Sequence, residues 1–158
     1  HTIAGAGFAV SHVFSDKIAP GRPDEADREI MMQFAEAVAE KVEKMEEIPA
    51  PIEVRGEDPV GPYYTPLGTD GKPAEFLKAK PKTRPEDCDS CGICVEACPM
   101  GSISREDPKE VPGICIKCQA CVKKCPTNAK YFDDPAFLSH IAMLEQNYTR
   151  RAEAEIFI

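Results

Sequence analysis

Eight cysteines fall between Cys88 and Cys125 of this 158-residue chain, and they constrain it more than any other feature. They form two runs: Cys88-Asp-Ser-Cys91-Gly-Ile-Cys94-Val-Glu-Ala-Cys98-Pro99, then Cys115-Ile-Lys-Cys118-Gln-Ala-Cys121-Val-Lys-Lys-Cys125-Pro126. Each cysteine of the first run has a counterpart 27 residues on, which marks a duplicated unit. Three thiols spaced C-x2-C-x2-C lie on one tight loop and can wrap three corners of a cubane cluster; a fourth ligand must come from elsewhere. Four disulfides would suit a small secreted domain, but this spacing is not a disulfide framework. Structural zinc prefers two separated C-x2-C pairs, which two runs of four do not supply. No cysteine is left over to serve as a catalytic thiol.

The residues between the cysteines agree with a cluster site. Gly92 lets the backbone approach closely without a Cβ, and loop amides can donate to cluster sulfurs. Pro99 and Pro126 turn the chain after the last cysteine of each run. Ile93, Val95, Ile103, Ile114, Ile116 and Val122 offer apolar walls that limit water. Residues 82–132 are too few to fold well on their own apolar surface, so the clusters are expected to act as the core, and stripping iron is expected to unfold the segment.

Around this segment, local signals place four regions. The uncharged run 2–10 suits a short buried strand. Asp24 caps an amphipathic helix expected over 24–47, with acids at Glu25, Asp27 and Glu29 on its positive end and Ile30, Phe34, Val38, Val42 and Met45 along one face. Together 1–47 read as a strand plus a long helix. Pro49 and Pro51 end that helix, and 48–81 read as a Pro-rich connector, packed through Tyr63, Tyr64 and Phe76. Asp133-Asp134-Pro135 starts a C-terminal helix that carries Phe137, Leu138, Ile141, Leu144 and Tyr148, with a tail to 158. His140 and Met143 lie in it, and His140 is read as a packed or surface residue rather than a ligand. The fold class is α+β.

The formal charge of −8 disfavours nucleic acid or anionic lipid as partners. No apolar run approaches the roughly 20 residues of a membrane span. The opening His1-Thr2-Ile3-Ala4-Gly5 lacks the basic start of a signal peptide, and a chain beginning at His1 is expected to be a fragment or a processed product, or to carry a tag remnant. Residues 82–132 hold eight Lys/Arg and seven Asp/Glu. Two oxidised clusters, each about −2 with its thiolates, bring that segment to about −3. Asp87, Asp89 and Glu96 surround the first run, and Lys117, Lys123 and Lys124 the second. If these charges face their own clusters, the second cluster is the easier to reduce.

Residues 84–132 resemble the bacterial 2(4Fe–4S) ferredoxin domain. The resemblance implies two short hairpins and two short helices around two 4Fe–4S clusters, and low-potential one-electron transfer. It also implies crossed ligation: Cys88, Cys91, Cys94 and Cys125 hold cluster one, and Cys115, Cys118, Cys121 and Cys98 hold cluster two. Gln119 and Asn128 replace residues that are more commonly small in such runs. A wider resemblance, carried by Ser11-His12-Val13-Phe14-Ser15, Ala19-Pro20-Gly21-Arg22-Pro23-Asp24-Glu25-Ala26-Asp27 and Tyr148-Thr149-Arg150-Arg151, is to the C-terminal part of flavodoxin–ferredoxin fusion proteins of anaerobes. On that resemblance 1–47 are the remnant of a flavodoxin-like domain. The flavin phosphate loop is absent, so FMN is not expected on this chain as given, and the incomplete half-domain invites a homodimer through residues 1–47. The expected function is an electron carrier of an anaerobe's cytoplasm, without autonomous enzyme activity, serving a redox protein or a flavin domain. The alternative is the iron–sulfur fragment of a flavin-dependent oxidoreductase. No Ser/His/Asp triad or paired-carboxylate constellation argues for catalysis, and His12 is read as a surface histidine.

Overall fold

The computed structural model describes residues 17, 18 and 20–158. The strand expected over 2–10, and His12, lie outside the described residues. The chain divides into two compact units, one holding residues 65–149 with the described part of the N-terminal segment, the other residues 21–64 and 150–158.

The second unit is built on helix α1, Glu25–Lys44, close to the span expected from the sequence. Asp24 caps it in a reciprocal box: its carboxylate accepts from the Asp27 amide at 3.0 Å, and Asp27 accepts from the Asp24 amide at 2.9 Å. The apolar face is not buried as a core. Ile30, Phe34 and Val38 are half-buried, Val42 and Met45 are exposed, and Asp27 alone among the α1 residues is fully buried. Asp27 sits in an ion-pair network. Arg22 donates to it from Nε at 2.8 Å and also from Nη2, and Arg151 reaches both Asp24, at 2.7 Å, and Asp27, at 3.4 Å. Donation from Arg22 holds the Asp27 carboxyl well below the ordinary carboxylate range, against the opposing effect of burial. Residues 48–64 carry no regular element, and Tyr63 is exposed.

The first unit is organised by the 27-residue repeat. Helix α2, Ile93–Ala97, and helix α3, Ala120–Lys123, start 27 residues apart, and they pack on each other. Strand β1, Lys82–Thr83, pairs antiparallel with β2, Lys130–Tyr131, in the register Lys82 to Tyr131 and Thr83 to Lys130. Only one of the two hairpins expected from the resemblance is therefore a sheet among the described residues, and it joins the ends of the segment rather than neighbouring strands. The corresponding stretch in the other half is held by isolated bonds, Ser104 N–H to the Glu110 carbonyl at 3.0 Å and Gly113 N–H to the Ser102 carbonyl at 3.1 Å. Pro108 and Pro112 lack the N–H groups that a continuous ladder needs.

Two apolar clusters fill this unit. One gathers Cys94, Val95, Ile103 and Cys121, with Cys98, Val111 and Val122 at its edge. The other gathers Ala79, Phe132 and Phe137, with Phe76, Cys115, Val122 and Ile141 against it. Helix α4, Pro135–Asn147, supplies Phe137 and is capped by Asp134, whose carboxylate accepts from the Phe137 amide at 2.9 Å. Phe76 stacks on the buried His140 ring, and His140 Nδ1 donates to the Leu67 carbonyl at 2.8 Å. Of the two readings its helical position left open, packed or surface, the structure makes His140 a packed residue. No described helix is long and apolar enough to cross a membrane.

Candidate metal centre

The cysteines converge on two cavities. One is lined by Cys88, Cys91, Cys94 and Cys125, the other by Cys98, Cys115, Cys118 and Cys121. Each cavity takes three cysteines from one run and its fourth from the other. The exchange follows from the packing of α2 on α3, which carries the end of each run to the loop of its twin. Cys94 of the first set and Cys121 of the second are buried in the same apolar cluster, so the cavities share a wall. Cys91 is the exposed member of the eight.

The loops hold this arrangement through a repeated backbone conformation. Ser90 and Lys117, Gly92 and Gln119, and Gly101 and Asn128 are pairs 27 residues apart, and all six are left-handed, with φ between 56° and 78°. A side chain in that region costs roughly 1–2 kcal/mol outside glycine, less for asparagine. The chain nevertheless places four non-glycine residues there. Alternating right- and left-handed residues turn successive N–H groups to one side and make a concavity for an anion. This accounts for Gln119 and Asn128, which stand where such runs more commonly have small residues: both occupy the conformation that glycine takes in the first half.

Donors already face the sulfurs. The Ser102 amide donates to Cys98 Sγ at 3.3 Å, and the Lys117 amide to Cys115 Sγ at 3.4 Å. Gln119 lines the second cavity at 9% exposure, and its Nε2 is buried with no hydrogen-bond partner. An orphaned buried donor beside four thiols fits a sulfur-rich anionic group as the missing acceptor. Burial pushes the Cys94 thiol up, and pushes Cys121 up to about 12, in both cases against the charge of Lys130. Burial also raises Cys125, but the amides of Lys130 and Ala129 and the Thr127 hydroxyl bring it below its ordinary value. The residues therefore fit a cluster whose positive irons displace the thiol protons.

Residues 87–130 match the family described as the 4Fe-4S dicluster domain. The chain carries a ferredoxin-type 4Fe–4S domain. Neither the curated proteins nor the solved structures contain a match to the chain.

The charges beside the ferredoxin-type site are not arranged as their sequence positions suggest. Lys124 of the second run lines a surface groove beside Cys91, with Glu96 and Arg105. Lys117 donates its ammonium to the Leu77 carbonyl. Asp89 accepts from the Cys91 amide at 3.1 Å and so shapes the first loop. Sequence reasoning missed Lys130, which is buried and lines the first cavity. Comparing non-cysteine residues at the 27-residue offset is the signal that would have found it.

Proposed function

We propose that this chain is an electron-transfer protein that holds two 4Fe–4S clusters, one on Cys88, Cys91, Cys94 and Cys125 and one on Cys115, Cys118, Cys121 and Cys98. The observation that carries the reading is the pair of four-cysteine cavities, each completed by the other run. Mononuclear structural zinc usually takes two separated C-x2-C pairs, a spacing that the two runs of four cysteines do not have. Bound clusters supply reversible one-electron chemistry. The protein's part is to hold the sites side by side, through the wall shared by Cys94 and Cys121, and to keep water from both. Cys91 gives the first site an exposed edge, where electrons exchange with a redox protein or a flavin domain.

Paired cysteine variants test the reading through the crossed ligation it requires. Iron and sulfide content, with electron paramagnetic resonance of the reduced protein, count the clusters in each variant. The double variant Cys98→Ala with Cys115→Ala is expected to disturb one cluster, and Cys98→Ala with Cys88→Ala to disturb both. Ligation within each run gives the reverse pattern and overturns the assignment. Wild-type protein reconstituted with iron and sulfide that holds fewer than two clusters overturns the function.

A further inference from the structure

The two halves of the repeat disagree at one buried position. Ile103 and Lys130 are 27 residues apart, as the paired cysteines are. They are 4% and 3% exposed. Ile103 lines the cavity of Cys98, Cys115, Cys118 and Cys121; Lys130 lines the cavity of Cys88, Cys91, Cys94 and Cys125. A charged side chain thus stands where the duplicated unit elsewhere puts a hydrophobe.

The backbone of Lys130 is fixed by pairing with Thr83 in the sheet. Its Nζ donates to the buried Pro108 carbonyl at 2.6 Å, its one side-chain bond among the described residues. That acceptor is neutral. Cys94 Sγ lies 4.0 Å from the same carbonyl oxygen, so ammonium and sulfur approach a common atom. A buried ammonium requires a counter-charge close by. Here the anionic groups to hand are the thiolates of the first cavity and, across the shared wall, Cys121.

We infer that Lys130 sets the order of reduction of the two sites, making the one on Cys88, Cys91, Cys94 and Cys125 the easier to reduce. The inference rests on the two-cluster reading above. When one electron arrives from a low-potential one-electron donor, the site gains one negative charge and no bond forms or breaks. The ammonium of Lys130 favours that added charge. Asp87, Asp89 and Glu96 oppose it, but all three are exposed. At their positions water and salt screen charge over about 8–10 Å. A charge in the protein interior acts through an effective dielectric of about 20 rather than 80, and so with about four times the strength at equal distance. Of the second run's lysines, Lys123 and Lys124 are exposed as well, and Lys117 turns its ammonium to the Leu77 carbonyl, so the buried lysine outweighs the surface charges of both runs and the order expected from run composition is reversed.

The test is a redox titration of the whole 158-residue chain, loaded with clusters, followed by electron paramagnetic resonance. Lys130→Met removes the charge and keeps the reach; Lys130→Gln removes the charge and keeps an N–H for the Pro108 carbonyl. Both are expected to lower the potential of the site on Cys88, Cys91, Cys94 and Cys125, by a tenfold or larger change in its reduction equilibrium, about 59 mV per tenfold for a one-electron couple. The other site moves less, and the shift persists at high salt. The cluster that survives in the Cys98→Ala with Cys115→Ala protein identifies which potential belongs to which site. Fully loaded variants with unchanged potentials overturn the inference, as does a shift confined to the other site or abolished by salt. Iron and sulfide content of the wild type judges the two-cluster reading separately.

Discussion

Replacing Phe137 with alanine is expected to destabilise the first unit by about 3–5 kcal/mol. Phe137 is 1% exposed, with the Phe76 ring at 5.1 Å and the Phe132 ring at 4.8 Å, both tilted by 55°. A buried phenylalanine removes about 150–250 Å² from water, which at about 25 cal/mol per Å² amounts to roughly 4–6 kcal/mol. Alanine retains part of that. Against this, the two tilted ring contacts add about 0.5–1.5 kcal/mol each, and the flanking rings cannot fully collapse into the space. A domain stable by about 5–15 kcal/mol has little margin for such a loss. The effect has a local signature, because Cys115 packs against the same cluster. The assay is urea unfolding of the loaded chain by circular dichroism, with bleaching of visible absorbance as a second probe. Leu138→Ala, at the neighbouring 44% exposed position, is the control, expected to change stability by about 0.5 kcal/mol or less. A Phe137→Ala loss below about 1 kcal/mol, or equal bleaching in both variants, would refute the reasoning.

Three further outcomes follow from the geometry. A Cβ at Gly113 meets Ser102 Cα at 2.7 Å and Ser102 Oγ at 2.8 Å, so Gly113→Ala should displace Ser102, weaken its amide bond to Cys98 Sγ and destabilise by about 1–3 kcal/mol, with faster loss of the cluster on Cys98, Cys115, Cys118 and Cys121. A loaded Gly113→Ala protein as stable as wild type contradicts this. Gln119→Met removes the orphaned Nε2 and should make that same cluster harder to reduce, by about threefold or more in its reduction equilibrium; an unchanged potential shows that the amide does not face a sulfur. Because Arg22 and the neighbouring amide hold the Asp27 carboxyl below its unfolded value of about 3.9, its contribution is fully present above about pH 5 and is lost as pH falls below about 4. The protection of the α1 amides, taken relative to the intrinsic exchange rate at each pH, should therefore fall below about pH 4 in wild type. It should already be low at neutral pH in Asp27→Asn, and a flat wild-type profile would count against the network.

Much of the local structure was legible because its causes are local. Asp24 and Asp134 cap their helices through bonds to amides three residues on, a distance any sequence window spans. That His140 is no ligand was the sequence reading, but its burial came only from the contacts of Phe76 and Leu67. The second expected hairpin was not, since the prolines at 108 and 112 remove donors that only the paired geometry would have needed. The apolar face of α1 was legible as a pattern, but a pattern does not say how much of itself is covered. Of the flavodoxin-like remnant expected over 1–47, residues 1–16 and 19 lie outside the described residues.

The sequence by itself determined the donor type, the number of donors and their spacing, and hence the class of group the chain can hold. Thiols two residues apart can reach only a few ångströms of a common centre, whatever the rest of the chain does. The tertiary structure decided which thiols share a cavity. It carried Cys98 to the second loop and Cys125 to the first, a choice set by how α2 packs on α3. It also decided that Lys130 is buried, whereas Lys124, six residues earlier, lines an open groove beside Cys91. In sequence the two are equivalent lysines near the same run. Burial is a property of the path of the whole chain, and it is burial that makes one of them able to order the two sites while the other is screened by water.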